Sequence, residues 1–259
     1  MPAATPAQFN ERRAQFRTLH TQGCFLLPNP WDIGGALRLE RLGFKAIASS
    51  SSACAQTLGL EDYQITVTQA LDHLRTLVAA TQLPVNADFE NGFADTPEGV
   101  AENVRLAIAT GIAGLSIEDR GSDGLYDTAH AAERVAAAKQ AIAATGQNVV
   151  LVARTEACFE GETRQAPVID RLLRYAEAGA DCLYAPGVKD IRVIGDIVRA
   201  VAPLPVNVLL FGQEMRVADL AAAGVRRVSL GGALASAAWR GFDAAARSFL
   251  EQGRLLPTG

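Results

Sequence analysis

The chain contains little histidine or cysteine and no long uninterrupted hydrophobic run. Its 259 residues include three histidines and four cysteines, and the cysteines are not spaced as in a zinc site or a disulfide framework. No run reaches the roughly 18 apolar residues that a transmembrane helix needs, so we expect no membrane association. The first residues also lack the basic-then-apolar order of a secretory signal. We therefore expect a cytoplasmic protein.

Two classes of binding motif are missing as well. Lysine and arginine are scattered along a chain of net charge -4, which leaves no basic stripe, and we predict no nucleic-acid partner. Neither a Gly-x-Gly-x-x-Gly pattern nor a Walker pattern occurs, so nucleotide binding has no support. The three histidines fall in predicted helices or their approaches, so acid–base chemistry by imidazole is not predicted.

A repeated alternation of helix and strand is present instead. Helix-ending glycines at 43, 111 and 179 are each 68 residues apart, which corresponds to two βα units of about 34 residues. Strands are predicted near residues 25, 46, 85, 114, 149, 182, 206 and 228. Eight strands that alternate with helices favour parallel pairing in a closed barrel. The predicted fold class is α/β, a (β/α)₈ TIM barrel, with residues 1–259 in a single domain.

The last part of the chain is predicted to be a helix or a helix pair. Residues 233–255 place Trp239, Phe242 and Phe249 roughly on one face. This segment is long enough to pack on a partner subunit as well as on its own barrel.

Polar residues follow several of the predicted strands, where the active site of a barrel enzyme lies. A predicted strand over residues 84–90 would place Asp88 and Glu90 on the same side, because strand side chains alternate. Two acids that close repel each other, which suggests a cation between them. Further polar or glycine positions at strand ends are Asp32, Ser49 to Ser52, Asp62, Glu118, Asp119, Arg120, Arg154, Glu156, Asn207 and Gly231-Gly232. Carboxylates with one or two arginines suit a hard divalent cation such as Mg²⁺.

Each of these candidates also has a purely structural interpretation. Asp88 and Glu90 are compatible with a helix cap and a solvated loop acid. Arg154 is compatible with a structural ion pair to Glu118 or Glu156. The remaining alternatives are a simple turn for the serine run, a surface position for Asp62, and either phosphate binding or close packing for Gly231-Gly232.

Six motifs, in order, resemble the isocitrate lyase / phosphoenolpyruvate mutase superfamily over about residues 24–235. They are Pro28-Asn-Pro-Trp-Asp32, Gly43-Phe-Lys-Ala-Ile-Ala-Ser-Ser50-Ser51, Leu60-Glu-Asp62, Asp88-Phe-Glu90-Asn-Gly-Phe93, Gly114-Leu-Ser-Ile-Glu118-Asp119 and Ala153-Arg154-Thr-Glu-Ala157. The resemblance implies a (β/α)₈ barrel that uses Mg²⁺, with Mn²⁺ as an alternative, to hold a 2-oxo acid or its enolate. It also implies a homo-oligomer, a dimer or a tetramer, in which the last helix is swapped between subunits.

The resemblance assigns roles to individual residues. Asp88, Glu90 and Glu118 match the family's metal-binding acids, and Glu90 replaces an aspartate there. Roles in catalysis are implied for Arg154, Glu118 and Asp62, the last on the mobile loop after strand two. The positions implied to bind the substrate are Ser50, Ser51, Arg154 and Asn207.

One motif departs from the family pattern. Isocitrate and methylisocitrate lyases carry a Lys-Lys/Arg-Cys-Gly-His loop after strand four, but this chain reads Arg120-Gly-Ser-Asp-Gly-Leu-Tyr126-Asp127. The chain therefore resembles the branch with oxaloacetate decarboxylases and phosphonopyruvate-type enzymes. The predicted function is a Mg²⁺-dependent lyase or decarboxylase that cleaves a C–C bond of a small 2-oxo or 2-hydroxy dicarboxylate through an enolate. The alternatives are P–C bond chemistry on a phosphonate and a weakly active 2-oxo acid binder.

Overall fold

A computed structural model describes residues 5–255, which form ten α-helices and ten strands. The strands are β1 (Phe25–Leu27), β2 (Ile47–Ala48), β3 (Val85–Asp88), β4 (Gly114–Glu118), β5 (Arg120–Gly121), β6 (Gly124–Leu125), β7 (Val150–Arg154), β8 (Cys182–Tyr184), β9 (Val206–Leu209) and β10 (Arg227–Ser229). The helices are α1 (Pro6–Leu19), α2 (Ile33–Arg41), α3 (Ser51–Thr57), α4 (Val67–Ala80), α5 (Pro97–Ala109), α6 (Thr128–Ala144), α7 (Gln165–Glu177), α8 (Ile191–Ala200), α9 (Val217–Ala222) and α10 (Ala233–Gln252).

Eight of the strands form one parallel sheet in the order β1-β10-β9-β8-β7-β4-β3-β2. All its ladders are parallel, and helices connect the strands as in a βαβ series. The sheet is a nearly closed barrel, and its remaining edges, β1 and β2, are joined by a hydrogen bond from the Ala48 N–H to the Pro28 carbonyl at 3.0 Å. The predicted (β/α)₈ TIM barrel is confirmed.

Asn29 ties the loops together where β1 and β2 are not paired as a ladder. Its side-chain NH₂ donates to the Ser49 carbonyl at 2.8 Å. Its Oδ1 accepts from the backbone N–H groups of Leu230 and Gly231 at 3.1 and 2.9 Å. One buried amide therefore connects the ends of three barrel strands on the side where the active site of such a barrel lies.

Side-chain alternation separates a barrel interior from the shell under the helices. On β9, Val206 and Val208 belong to the large apolar cluster beneath the helices, whereas Asn207 and Leu209 face the interior. The amino-terminal end of the barrel is filled by α1, whose Phe16 packs edge-on against Phe25 with ring centroids 6.1 Å apart. Apolar burial on both faces of the sheet explains why most strands read as hydrophobic runs.

Two details differ from the sequence-based expectation, and one open alternative at the C-terminus is decided. Strand β3 ends at Asp88 and does not continue to residue 90. The loop after β4 folds into a small antiparallel hairpin, β5–β6. The C-terminal segment is one helix, α10, with only Ala235 and Ser248 buried. Within residues 5–255, no helix is both long and apolar enough to cross a membrane.

Candidate active site

The end of β3 and the turn after it carry two of the predicted acids, Asp88 and Glu90, into the mouth of the barrel. The backbone of Glu90 and of Phe93 has positive φ, 43° and 54°, which is unfavourable for residues other than glycine. The carbonyl of Glu90 accepts the Glu118 N–H at 2.9 Å, which fixes the turn against β4. Backbone strain of this kind persists only where surrounding contacts enforce it, and it is common at functional sites.

Arg154, at the end of β7, lies at the centre of the carboxylates. Its Nη1 is 3.3 Å from Asp88 Oδ1 and 3.2 Å from Glu118 Oε2, and its Nε donates to Glu156. The arginine side chain is only 16% exposed, and those of Glu118 and Glu156 are 3% exposed. One guanidinium therefore contacts three carboxylates, and the cluster has an excess of negative charge in a poorly solvated place.

Serine residues orient Asp88. The Ser51 N–H and hydroxyl both donate to Asp88 Oδ2 at 3.0 Å, and the Asp88 N–H donates to Ser49 Oγ at 2.8 Å. With Arg154 on the other oxygen, the carboxylate is held from two sides. Ser50, by contrast, uses its hydroxyl to cap α3, accepting the Ala53 N–H at 3.3 Å.

Glu90 differs from its neighbours because its Oε1 is buried and has no hydrogen-bond partner. Burial, and then the negative charges of Asp88 and Glu118, raise the pKa of Glu90 to about 8. Burial also raises the pKa of Glu118. A buried carboxylate oxygen without a partner is costly, so it calls for a proton or a cation.

The loop between α3 and α4 covers the acids from above. Tyr63 donates its hydroxyl to Glu118 Oε1 at 2.5 Å. Partial burial, followed by the charges of neighbours including Asp88, raises the pKa of Asp62 in the same loop. The structure thus brings Asp62, Asp88, Glu90, Glu118 and Arg154 to one place, as the sequence predicted.

Asp119 fixes the position of the residues that follow β7. It accepts the Glu156 N–H at 2.8 Å, the Thr155 hydroxyl at 2.7 Å and the Tyr175 hydroxyl at 2.6 Å, and it pairs with Arg171 at 3.0 Å. These contacts hold the residues that follow β7, so that Glu156 meets Arg154. Sequence reasoning missed Tyr63, and it named Ser49 only as a strand-end position and Glu156 only as a strand-end position and a structural partner of Arg154. Their proximity to the predicted motifs was the available signal.

Asn207 lies deeper in the barrel interior. Its side chain donates to Ser229 Oγ at 3.0 Å and accepts from Arg227 Nε at 3.0 Å, while Arg227 also donates to Asn86 at 3.2 Å. These groups form a buried polar network, and a substrate contact of Asn207 stays a prediction.

A separate cavity of about 520 Å³ opens on the same rim, between the loops after β8 and β9. Lys189, Phe211, Met215 and Arg216 are among its lining residues, and none of the acids around Arg154 is. The chemistry of the site is therefore concentrated at β3, β4 and β7.

The carboxylate oxygens at this site are of the type that a hard divalent cation prefers. In the described part of the chain, no three histidine, cysteine, aspartate or glutamate side chains are grouped as a ready-made metal site. Two of the acids are instead engaged by Arg154, whereas Glu90 has a free buried oxygen. These donors fit a cation that keeps part of its water shell, as Mg²⁺ usually does.

We expect the stability of the metal-free protein to fall as the pH rises from about 4.5 to about 8. The pKa of Glu90 is higher in the folded protein than in the unfolded chain, so the folded state binds the proton more tightly. The protonated carboxyl therefore contributes to stability at low pH, and this stabilisation is lost as the pH rises through the raised pKa. In EDTA, Glu90→Gln should raise the melting temperature by roughly 2–4 °C at pH 8.5 and change it little at pH 5. Scanning calorimetry at both pH values measures this.

The matched control for that prediction is Glu102→Gln, at an exposed position on α5. It should shift the melting temperature by less than about 1 °C at either pH. Equal stabilisation by Glu90→Gln at both pH values would show that the effect comes from packing and not from charge.

Comparison with known proteins decides the family. The family model described as phosphoenolpyruvate phosphomutase matches residues 16–250. The chain belongs to this family, within the isocitrate lyase / phosphoenolpyruvate mutase superfamily. The resemblance seen in the sequence motifs is confirmed.

Relatives of this phosphoenolpyruvate mutase family member have varied names. The uncharacterised protein Rv1998c of Mycobacterium tuberculosis is 34% identical over 93% of this chain and 91% of its own length. An oxaloacetate decarboxylase of Chromohalobacter salexigens is 31% identical over 87% of this chain and 80% of its own. The crystal structure of a protein described as a lyase/mutase from Burkholderia cenocepacia J2315 has a TM-score of 0.93 and 43% identity, covering 96% of this chain and 91% of that one.

Proposed function

We propose that this protein is a divalent-metal-dependent carbon–carbon lyase or decarboxylase acting on a small 2-oxo or 2-hydroxy acid, with a dicarboxylate as the first candidate. The observation that carries this proposal is the cluster of buried carboxylates around a single arginine, with an unpartnered oxygen on Glu90. The name of the oxaloacetate decarboxylase relative supports the same class of reaction. A single barrel domain and a cytoplasmic location stay predictions.

Asp88, Glu90 and Glu118 would hold a Mg²⁺ or Mn²⁺ ion, directly or through its waters. When bound, that ion would supply Lewis-acid stabilisation of the negative charge that develops on a carbonyl oxygen as the neighbouring bond breaks. The surplus of acids also explains the need for it, because an anionic substrate would otherwise be repelled.

Arg154 would bind the substrate carboxylate. Its Nε and Nη1 already contact acids, while a guanidinium has five N–H donors in a planar fork, so further donors remain for a ligand. Glu156, fixed by Asp119, prevents the guanidinium from rotating. Ser51 keeps Asp88 in place and Asp62 approaches from the covering loop. Decarboxylation itself needs no general base.

The number of available cationic side chains distinguishes between C–C and P–C chemistry. A phosphonate would bring a second, doubly charged group that calls for additional cations. Arg154 is shared by three carboxylates, and Arg120 is paired with Glu160 at 2.6 Å. The arrangement therefore favours a substrate with less distal charge than phosphonopyruvate.

A panel of oxaloacetate, phosphonopyruvate, 2-methylisocitrate and dimethylmalate, assayed with MgCl₂ and with EDTA, tests the proposal. We expect Mg²⁺-dependent turnover of at least one carbon–carbon substrate. If every compound is inert while 2-oxo acids still raise the melting temperature, the protein is a binder and the proposed function is wrong.

We also propose that the protein is a homo-oligomer in which α10 packs on a second copy. Phe242, Phe249 and Leu250 are 65%, 66% and 85% exposed along this helix, which is far more apolar surface than an isolated helix favours. Light scattering should give a multiple of 27.3 kDa, and Phe242→Glu with Phe249→Glu should lower it. Leu106→Glu, at an exposed site on α5, is the control. A monomeric wild-type protein would contradict the proposal.

A further inference from the structure

Tyr63 reaches into the site although it belongs to the covering loop. Its hydroxyl donates to Glu118 Oε1 at 2.5 Å, and the other oxygen of the same carboxylate is 3.2 Å from Arg154 Nη1. The tyrosine hydroxyl and the arginine therefore lie on opposite oxygens of one carboxylate group. A small oxygen-rich ligand bound at Arg154 would be within reach of both donors.

The position of the Tyr63 ring is fixed by Arg120. The Arg120 guanidinium lies 4.5 Å from the ring centroid, and its Nε is 2.6 Å from Glu160 Oε1 in the loop after β7. A cation over an aromatic face is attracted by it, so Arg120, which is itself paired with Glu160, holds one face of the ring. The ring is thus held although Tyr63 is 36% exposed.

The backbone of Tyr63 is also unusual. Its φ of 64° lies in the left-handed region, which is unfavourable for a residue other than glycine. This conformation turns the side chain downward onto Glu118 while the preceding residue, Asp62, stays beside the acids. The Tyr63 hydroxyl is the donor in this contact, because an ionised carboxylate only accepts hydrogen bonds.

We propose that Tyr63 is a substrate-contact residue, whose hydroxyl donates a hydrogen bond to the oxygen at carbon 2 of the substrate. In the metal-free protein Glu118 accepts this bond. If Glu118 held a cation, its contact with Tyr63 would weaken and the hydroxyl would be free to donate to an oxygen of a ligand bound at Arg154. The inference rests on the proposed function, since it requires a 2-oxo or 2-hydroxy acid at this site.

Tyr63→Phe tests the assignment by titration calorimetry, with oxalate in excess MgCl₂ as an unreactive probe that has two adjacent oxygens. We expect the oxalate affinity to fall by about tenfold or more, because a hydrogen bond to a charged ligand is lost. Mg²⁺ binding without oxalate should be unchanged or tighter, because Glu118 is freed. Turnover of the substrate found in the panel should fall in parallel.

Tyr126→Phe is the matched control, because its hydroxyl also contacts an acid, Asp95, and lies outside the Arg154 cluster. This variant should bind oxalate like the wild type. The assignment is overturned if the oxalate affinity of Tyr63→Phe is within about twofold of the wild-type value or is higher. Tyr63 would then only cover Glu118 and would not contact the ligand. It is also overturned if both variants lose affinity equally.

These outcomes are separate from the test of the proposed function. Oxalate binding needs no turnover. An inert substrate panel would therefore refute the lyase proposal, while the oxalate affinity would still show whether Tyr63 contacts a bound ligand. Conversely, a working lyase with an unaffected Tyr63→Phe variant would refute only the role of Tyr63.

Discussion

Arg154→Met is expected to lower Mg²⁺-dependent turnover by about a thousandfold or more and to destabilise the fold. The substitution removes the only cation in contact with Asp88, Glu118 and Glu156 within the described chain, and leaves three poorly solvated carboxylates together. Removing one partner of a buried pair typically costs about 3–5 kcal/mol in the free energy of unfolding. Denaturant titration and steady-state kinetics measure the two effects.

Arg164→Met is the control for charge alone. Arg164 also pairs with a glutamate, Glu162, but its side chain is 77% exposed, so little change in stability or activity is expected. Arg154→Lys should recover part of the stability, because the charge is kept, but little of the activity, because the planar fork is lost. An Arg154→Met protein with wild-type stability and turnover would show that the cluster is not functional.

Asp88→Asn is expected to weaken Mg²⁺ binding by roughly two orders of magnitude and to abolish metal-dependent turnover. Among the three acids proposed to bind the metal, Asp88 has the most donors, with two from Ser51 on one oxygen and Arg154 on the other. An amide presents only one acceptor oxygen and no charge, so it would lose a cation ligand and one of these two contacts. Calorimetric titration with MgCl₂ measures the change in affinity.

Asp95→Asn provides the comparison for that result. Asp95 is also a carboxylate in the loop after β3, but it accepts the Tyr126 hydroxyl and does not contact Arg154. Its replacement should leave the Mg²⁺ affinity within about threefold of the wild type. Retention of normal Mg²⁺ binding by Asp88→Asn would remove this residue from the proposed metal site.

The barrel could be predicted because its cause is local and repetitive. Several units end a helix with a glycine in the left-handed conformation, as at Gly43, Gly111 and Gly179, before a buried strand begins. The alternation of a helix with a strand of the sheet recurs eight times, so an error in any one unit does not change the fold. The β5–β6 hairpin is not predicted by the sequence, because two-residue strands are defined by their partners.

The acids were found for a reason that is only partly correct. Asp88 and Glu90 were placed on one side by strand alternation, yet β3 stops at Asp88 and a turn with positive φ brings Glu90 back to the site. Local pattern could not show this, because positive φ at a glutamate is unfavourable by itself and depends on contacts such as that of Glu118 N–H with the Glu90 carbonyl.

The sequence by itself determined the class of fold, the family and the residue types at the carboxyl ends of the strands, because these follow from periodicity and from motif order along the chain. Only the tertiary structure decided that three carboxylates share Arg154, that Glu90 retains a buried unpartnered oxygen, and that Tyr63 reaches Glu118 across 55 residues. These contacts depend on distances between segments that are far apart in the sequence. Those distances are set only when the barrel has closed, so the spacing of residues along the chain does not predict them.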